Sequence, residues 1–358
     1  MVSHAADLTG APKLAREIVR SLGDDWDRVV VLRRRGEREQ ELRESSERLA
    51  IEPLHRLCRF LRHWAWTRPL EAVLAQLIGF FELLRFRPDL VYLNTSESAG
   101  YVRPALWLGR RVVLHVHEPR DDAAKRLRPH RLGRLFGAIT LVAVSRAAQH
   151  ELSQLTGVPQ GHIQLVRTSI DPVAIAVRRT PPRLGPPTIG TVGSMTHRKG
   201  VDLWVEVARL VIRALPDARF VWLGDEPPTP VRNRVRSLGL DDQLEFRPAT
   251  PDPISAMSEF TLLALPSRAE TAAMVVQEAM ALGLPVVSFD LPPVAEQLGD
   301  TGRLVVPEDV TAMAAAVVDL VAHPDERRAM GERARARALE EFSLDRFRDD
   351  VRRIASGA

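Results

Sequence analysis

Residues 260–289, FTLLALPSRAETAAMVVQEAMALGLPVVSF, decide the fold. The apolar run 260–266 reads as a buried strand, 267–271 as the turn leaving its carboxyl end, 271–282 as a helix and 285–289 as the next strand. The segment also carries two glutamates, Glu270 and Glu278, eight positions apart. On one straight helix they would point about 80° apart and sit roughly 12 Å apart along the axis, so they do not form a catalytic pair. With Glu270 on the turn and Glu278 inside the helix, each reaches a different part of one elongated ligand.

Working outward, short β-rich runs alternate with helical ones, which argues for parallel sheets with crossover helices. In the first half the strands are 28–32, 90–93, 111–116 and 139–144; in the second they are 188–192, 219–223, 244–246, 260–265, 285–289 and 303–306. Between the halves, the proline-dense DPVAIAVRRTPPRLGPP (171–187) lacks periodicity and marks a linker. The chain divides into a first doubly wound domain (1–172), a linker (173–187), a second doubly wound domain (188–340) and a carboxyl-terminal helical segment (341–358) packing back toward the first. That last segment has a packing stripe of Leu344, Phe347, Val351 and Ile354. In such sheets ligands bind outside the carboxyl ends of the strands.

Composition excludes several classes. With 358 residues, 45% hydrophobic and 27% charged, the chain is long enough for two ordinary globular cores. A lone cysteine, Cys58, allows no intrachain disulfide and suits a reducing compartment; it reads as a small buried hydrophobe. The net charge is only +4 and the basic residues are arginine apart from Lys13, Lys125 and Lys199, so no nucleic-acid partner is inferred. The opening has no cleavable-signal form, and no apolar run reaches the roughly 20 residues of a spanning helix, which reads as a cytoplasmic chain. The longest candidate, 70–86, is interrupted by Glu71, Gln76 and Glu82 and reads as a core helix. The mixed-sign RRRGEREQELRESSER (33–48) reads as an exposed helix or loop.

The start MVSHAADLTGAPKLAREIV leaves only two or three residues for a first strand that is central in a doubly wound sheet. The expectation is a natural polypeptide that begins several residues upstream, with an apolar β-rich segment before Val2.

TIGTVGSMTHRKGVD (188–202) is a strand, a loop with Gly193 and Gly200, and a helix start. Glycines let backbone N–H groups approach an anion, the helix N-terminus adds a favourable dipole, and Arg198 and Lys199 supply cations. Neither the dinucleotide fingerprint nor the P-loop is present. No metal is indicated: Asp25-Trp26-Asp27 precedes a strand, on the wrong sheet edge, and no Cys/His cluster has zinc spacing.

Taken in order, VVLHVHEPR (112–120), TVGSMTHRKGVD (191–202) and LPSRAETAAMVVQEAMALGLPVV (265–287) resemble the family 4 glycosyltransferases of the two-domain GT-B fold. LTGAPKLAREIVRSL is similar to that family's first loop and helix, LVAVSRAAQHELSQLTGVP to its serine-led helix, and GRLVVPEDVTAMAAAV to the segment after its donor site. The resemblance implies two Rossmann-like domains facing a central cleft. It implies transfer of a hexose from a UDP- or GDP-sugar to a hydroxyl of a glycan or lipid-linked acceptor, with retention, and no cofactor or metal. Carried over residue by residue, it gives Lys199, with Arg198, the donor diphosphate, Glu270 the hydroxyls of the transferred sugar, and Glu278 the ribose. Gly10, Gly193, Ser194, Thr271, Ala272 and Ala273 complete the donor contacts. His117, at the end of its strand, lies beside the sugar and acceptor, whereas His115 reads as a core histidine. Ser194 stands where many members have arginine, Ala273 where many have glycine, and 167–171 (RTSID) replaces Asn-Gly-Ile-Asp.

Two rivals accompany this reading: a nucleotide-sugar epimerase or hydrolase of the same fold, and a catalytically silent binding subunit. HRLCRFLRHWAWT (55–67) groups Leu57, Phe60, Leu61 and Trp64 opposite Arg56, Arg59, Arg62 and His63. Such a helix can pack on the first domain or rest on anionic lipid, at the inner face of the membrane.

Overall fold

The computed structural model describes all residues except 9, 53–56, 59, 62–66, 179–184 and 358. The amphipathic segment expected at 55–67 lies largely outside the described residues. The chain forms two compact units, one of Met1–Thr168 with Asp345–Ala358, the other of Ser169–Leu344.

In the first unit seven strands, β1 (Val2–Ser3), β2 (Val29–Leu32), β3 (Arg48–Ile51), β4 (Leu90–Leu93), β5 (Arg111–Val116), β6 (Thr140–Ala143) and β7 (Gln164–Leu165), form a parallel sheet in the order β3-β2-β1-β4-β5-β6-β7. β1 sits centrally with Val2 opposite both Val31 and Leu93. In the second unit β8 (Thr188–Val192), β9 (Arg219–Gly224), β10 (Leu244–Pro248), β11 (Leu262–Leu265), β12 (Val286–Phe289) and β13 (Arg303–Val305) form a parallel sheet ordered β10-β9-β8-β11-β12-β13. Both orders reverse direction once, at β1/β4 and at β8/β11, and such reversals open a crevice at the strands' carboxyl ends. Each unit is thus a doubly wound, Rossmann-like domain.

Central strands are apolar on both faces because helices cover both sides of the sheet; Leu262, Leu263 and Ala264 of β11 are fully buried. Trp204, Phe220 and Trp222 meet edge to face beneath the second sheet, with ring centroids 5.1 and 5.6 Å apart around Trp204. The last helix, Leu344–Ser356, lies on the first unit: Arg111 donates to the carbonyl of Ala355 at 2.9 Å, and Arg352 to that of Ser21 at 2.7 Å.

Several expectations need correction. β3 and β7 are additional edge strands. The 33–48 stretch is not all surface, because Arg33 is buried and pairs with buried Glu52 at 2.5 Å. Part of the expected linker is a short helix, Pro172–Ala176, because Asp171 caps it by accepting from the Ala174 N–H at 2.9 Å and Pro172 fits its first turn. The expected core helix is Arg68–Phe86, and one of its faces is open to solvent. The helix expected from 271 begins at Met274, since both polar backbone groups of Ala273 are held by the side chain of Gln297. Among the described residues no helix is long and apolar enough to cross a membrane.

Candidate functional site

In the second unit, the loop after β8 and the loop after β11 lie on either side of the β8/β11 reversal. Gly193 begins the first of these with φ 149°; its N–H donates to Leu223 O at 2.9 Å and its carbonyl accepts from the indole of Trp222 at 2.7 Å. Gly200 ends the loop at φ 74°, and a Cβ there would stand 1.9 Å from the carbonyl oxygen of Pro266. Glycine is therefore required for the helix Val201–Ala214 to start against the end of β11. The contact is what brings Lys199 to Glu270.

Lys199 Nζ donates to Glu270 Oε1 at 2.6 Å, and both side chains are largely buried. Arg198 Nη1 donates to Ala269 O at 2.9 Å and stands 3.8 Å from Glu270 Oε2. Burial alone would raise the Glu270 carboxyl, but Lys199 and Arg198 outweigh it and hold the group below its usual range. Glu270 is thus an ionised carboxylate that orients a cation. Ser194 is half-buried in the first loop; Thr271 and Ala273 are buried, with half-buried Ala272 between them. Glu278 is buried on the helix Met274–Leu282. At Ala273 φ is −79°, so this position imposes no backbone need for glycine.

Residues not singled out from the sequence hold this arrangement. Arg268 makes a bidentate pair with Asp202, both arms 2.8 Å, and also bonds Glu308 at 2.9 Å and His197 O at 2.8 Å. The backbone N–H of Arg268 donates to Arg198 O at 2.8 Å. One arginine therefore ties both loops together.

The first unit has a different constellation at β1/β4 and the end of β5. His117 Nε2 lies 3.0 Å from Asn94 Oδ1, and Asn94 Nδ2 donates to Ala11 O at 2.9 Å, in the first turn of the helix Gly10–Ser21. A carbonyl can only accept, so the amide nitrogen of Asn94 must face Ala11 and its oxygen must face His117. His117 Nε2 is consequently the donor. Burial, with His4 nearby, brings the pKa of His117 down to about 3, so the imidazole is neutral with its proton on Nε2. Glu118 fixes the turn, accepting from the N–H of His117 at 3.1 Å and from Ser96 N and Oγ at 3.1 and 2.8 Å. His115 is fully buried, its Nδ1 bonded to Tyr92 Oη at 2.9 Å, and stacks on His117 with centroids 4.1 Å apart. Gly10 opens the first helix.

Among the described residues, Asp319, His323 and Glu326 bring three ligand-type atoms together. Arg303 bridges Asp319 and Glu326 at 3.0 and 2.6 Å, so their charge is already countered.

Two family models match the chain: residues 8–174 match "Glycosyltransferase Family 4" and residues 186–323 match "Glycosyl transferases group 1". An alpha-D-kanosaminyltransferase of Streptomyces kanamyceticus is 31% identical over 46% of this chain and 44% of its own length. The MMP alpha-(1->4)-mannosyltransferase of Mycolicibacterium hassiacum is 27% identical over 71% of this chain and 67% of its own. An uncharacterized glycosyltransferase of Haemophilus influenzae is 27% identical over 47% of this chain. The chain spans about half the length of the first of these curated relatives or less. In fold, it is similar to Anabaena HepE in complex with UDP-glucose, with a TM-score of 0.80, 19% identity and coverage of 100% of this chain and 98% of that one.

Proposed function

The chain belongs to the family 4-like glycosyltransferases of the GT-B fold, and from that premise we propose that it transfers a hexose from a UDP- or GDP-sugar to a hydroxyl of a glycan or lipid-linked acceptor. The observation that carries the proposal is the buried Lys199–Glu270 pair on the loops flanking the β8/β11 reversal. A cation already held in place stabilises negative charge as it develops, without reorganising. In the transfer, the bond between the anomeric carbon and the diphosphate oxygen breaks, a bond to the acceptor oxygen forms, and the proton of the acceptor hydroxyl passes to the leaving diphosphate. Lys199 and Arg198 stabilise the leaving nucleoside diphosphate. Glu270, ionised and oriented, accepts from hydroxyls of the sugar, and Glu278 accepts from the ribose. Neutral His117 offers a hydrogen bond on the acceptor side, and retention of configuration completes the proposal. The diphosphate charge is assigned to these side chains and not to a metal, so a chelator should leave turnover unchanged.

Ser194, in place of a further cation, favours one second reading: a subunit that binds the nucleotide sugar without turning it over. The test is nucleoside diphosphate release from a panel of UDP- and GDP-sugars with and without glycan and lipid-linked acceptors. Release that requires an acceptor supports transfer. Release without acceptor points to hydrolysis, and saturable binding with no release under any condition points to the silent subunit.

A further inference from the structure

The face of β4 and β5 that delivers Asn94 and His117 holds a second polar pair one layer deeper. Side chains two apart on a strand share a face, so YLN (92–94) sets Tyr92 beside Asn94, and HVH (115–117) sets His115 beside His117. In register Tyr92 lies opposite Val113, and both polar contacts run diagonally over 23 positions: Tyr92 Oη to His115 Nδ1 at 2.9 Å, and Asn94 Oδ1 to His117 Nε2 at 3.0 Å. The two imidazoles stack with centroids 4.1 Å apart and planes tilted by 37°. Together they make a ladder of two rungs, the inner one inside the sheet and the outer one at the crevice.

The inner rung is expensive where it stands. Tyr92 and His115 are both buried, and His115 lies opposite Val142 of β6, between apolar strands. Burial, with His117 beside it, pushes the pKa of His115 well below its ordinary value, so the ring is neutral and carries one N–H. That hydrogen and the hydroxyl hydrogen of Tyr92 have one bond between them. Among the described residues Nε2 of His115 has no hydrogen-bond partner. Whichever group donates, one buried hydrogen is left without an acceptor, which destabilises the fold. An apolar pair of similar volume would fill the space without that penalty. It would not fix the direction of a ring, whereas a buried hydrogen bond holds one arrangement.

We propose that Tyr92 and His115 are positioning residues for His117: Tyr92 sets the ring plane of His115, and the face of His115 holds His117 with its Nε2–H aimed at Asn94. The bearing of this ladder on turnover rests on the acceptor-side role proposed above for His117; its geometry does not. The test is exchange of the His117 Nε2 proton with solvent, read by NMR on the full chain carrying isotope-labelled histidine, with the signal assigned through His117→Asn, alongside steady-state kinetics. Tyr92→Phe removes a single oxygen; it should speed that exchange about tenfold, through easier local opening, and lower kcat several-fold with the donor KM unchanged. His115→Ala should do more, and His115→Phe, which restores a flat ring, should recover part of the loss. Unchanged exchange in folded Tyr92→Phe and His115→Ala overturns the proposal, and so does a loss of kcat in them without faster exchange. If exchange quickens while no donor and acceptor support turnover even in the wild type, the positioning stands and the transfer reading falls.

Discussion

The two sheets deliver their loops at equivalent places, β1/β4 in one unit and β8/β11 in the other, yet the side chains they deliver differ in kind. The second unit presents an ion pair: Lys199 and Glu270, mostly buried, 2.6 Å apart, with Arg198 beside them. The first presents a neutral chain of hydrogen bonds running from Ala11 O through Asn94 to His117. Topology fixes where a ligand can bind, and the residues at the strand ends fix which chemistry it meets. A preorganised charge suits a diphosphate; an uncharged donor suits a sugar or acceptor hydroxyl.

The sharpest way to break this comparison is to remove the charge. Lys199→Ala should lower turnover tens- to hundreds-fold, about 2–4 kcal/mol of barrier. It should also lower the melting temperature, because Glu270 stays buried without its closest partner. Steady-state kinetics on a variant shown to be folded checks this, and wild-type turnover would remove Lys199 from the mechanism.

The two glutamates should separate next. Glu270→Gln should mainly slow transfer, and Glu278→Gln should mainly weaken nucleotide binding. Equal increases in the donor's dissociation constant, with turnover untouched in both, would show that their roles are not divided.

On the neutral side the expected effect is smaller. Asn94→Ala should cost about tenfold in turnover, the order of one lost positioning hydrogen bond. It should also release His117 from its Nε2–H form. Long-range nitrogen–proton NMR of the imidazole reads this directly, and an unchanged tautomer in the variant would dismiss Asn94 as the residue that sets it.

The strands were legible because a buried parallel strand is a run of apolar residues, and 188–192, 219–223 and 285–289 are such runs. Arg48–Ile51 escaped because it follows fifteen mostly polar residues and pairs on one side only, with β2. The cap of the 172–176 helix was readable in Asp171-Pro172, but the prolines downstream obscured it. The cationic loop and Glu270 were legible from local spacing. The residues that hold them were not: Arg268 reaches 66 positions to Asp202, Gln297 reaches 24 to Ala273, and Asn94 reaches 83 to Ala11. Polar side chains of this kind look like any surface residue until the fold brings their partners near.

The smallest expected effect is on stability against pH, and it separates the two regions. His117 has a folded pKa of about 3 against an ordinary value of 6.5, so the unfolded chain binds the additional proton between those limits. Its contribution is complete above about pH 6.5 and is lost as pH falls toward 3; His115, pushed down by burial and by His117, acts with the same sign. Glu270, held below a glutamate's ordinary value of 4.5, contributes fully above that value and loses its contribution only on further acidification. Between pH 7 and 5, melting should therefore weaken in the first unit and not in the second. His117→Asn should flatten that slope; an equal slope in the folded variant would assign the effect elsewhere.

The central claim is that the β8/β11 loops bind a nucleoside diphosphate through Lys199. The most direct measurement is thermal unfolding of the wild-type chain and of Lys199→Ala with millimolar UDP, GDP and their sugars, since a ligand that binds only the native state raises its apparent stability by mass action. The expected result is a concentration-dependent rise in melting temperature for at least one nucleotide in the wild type, strongly reduced in the variant. No rise with any of them, or an equal rise in both proteins, would contradict the claim.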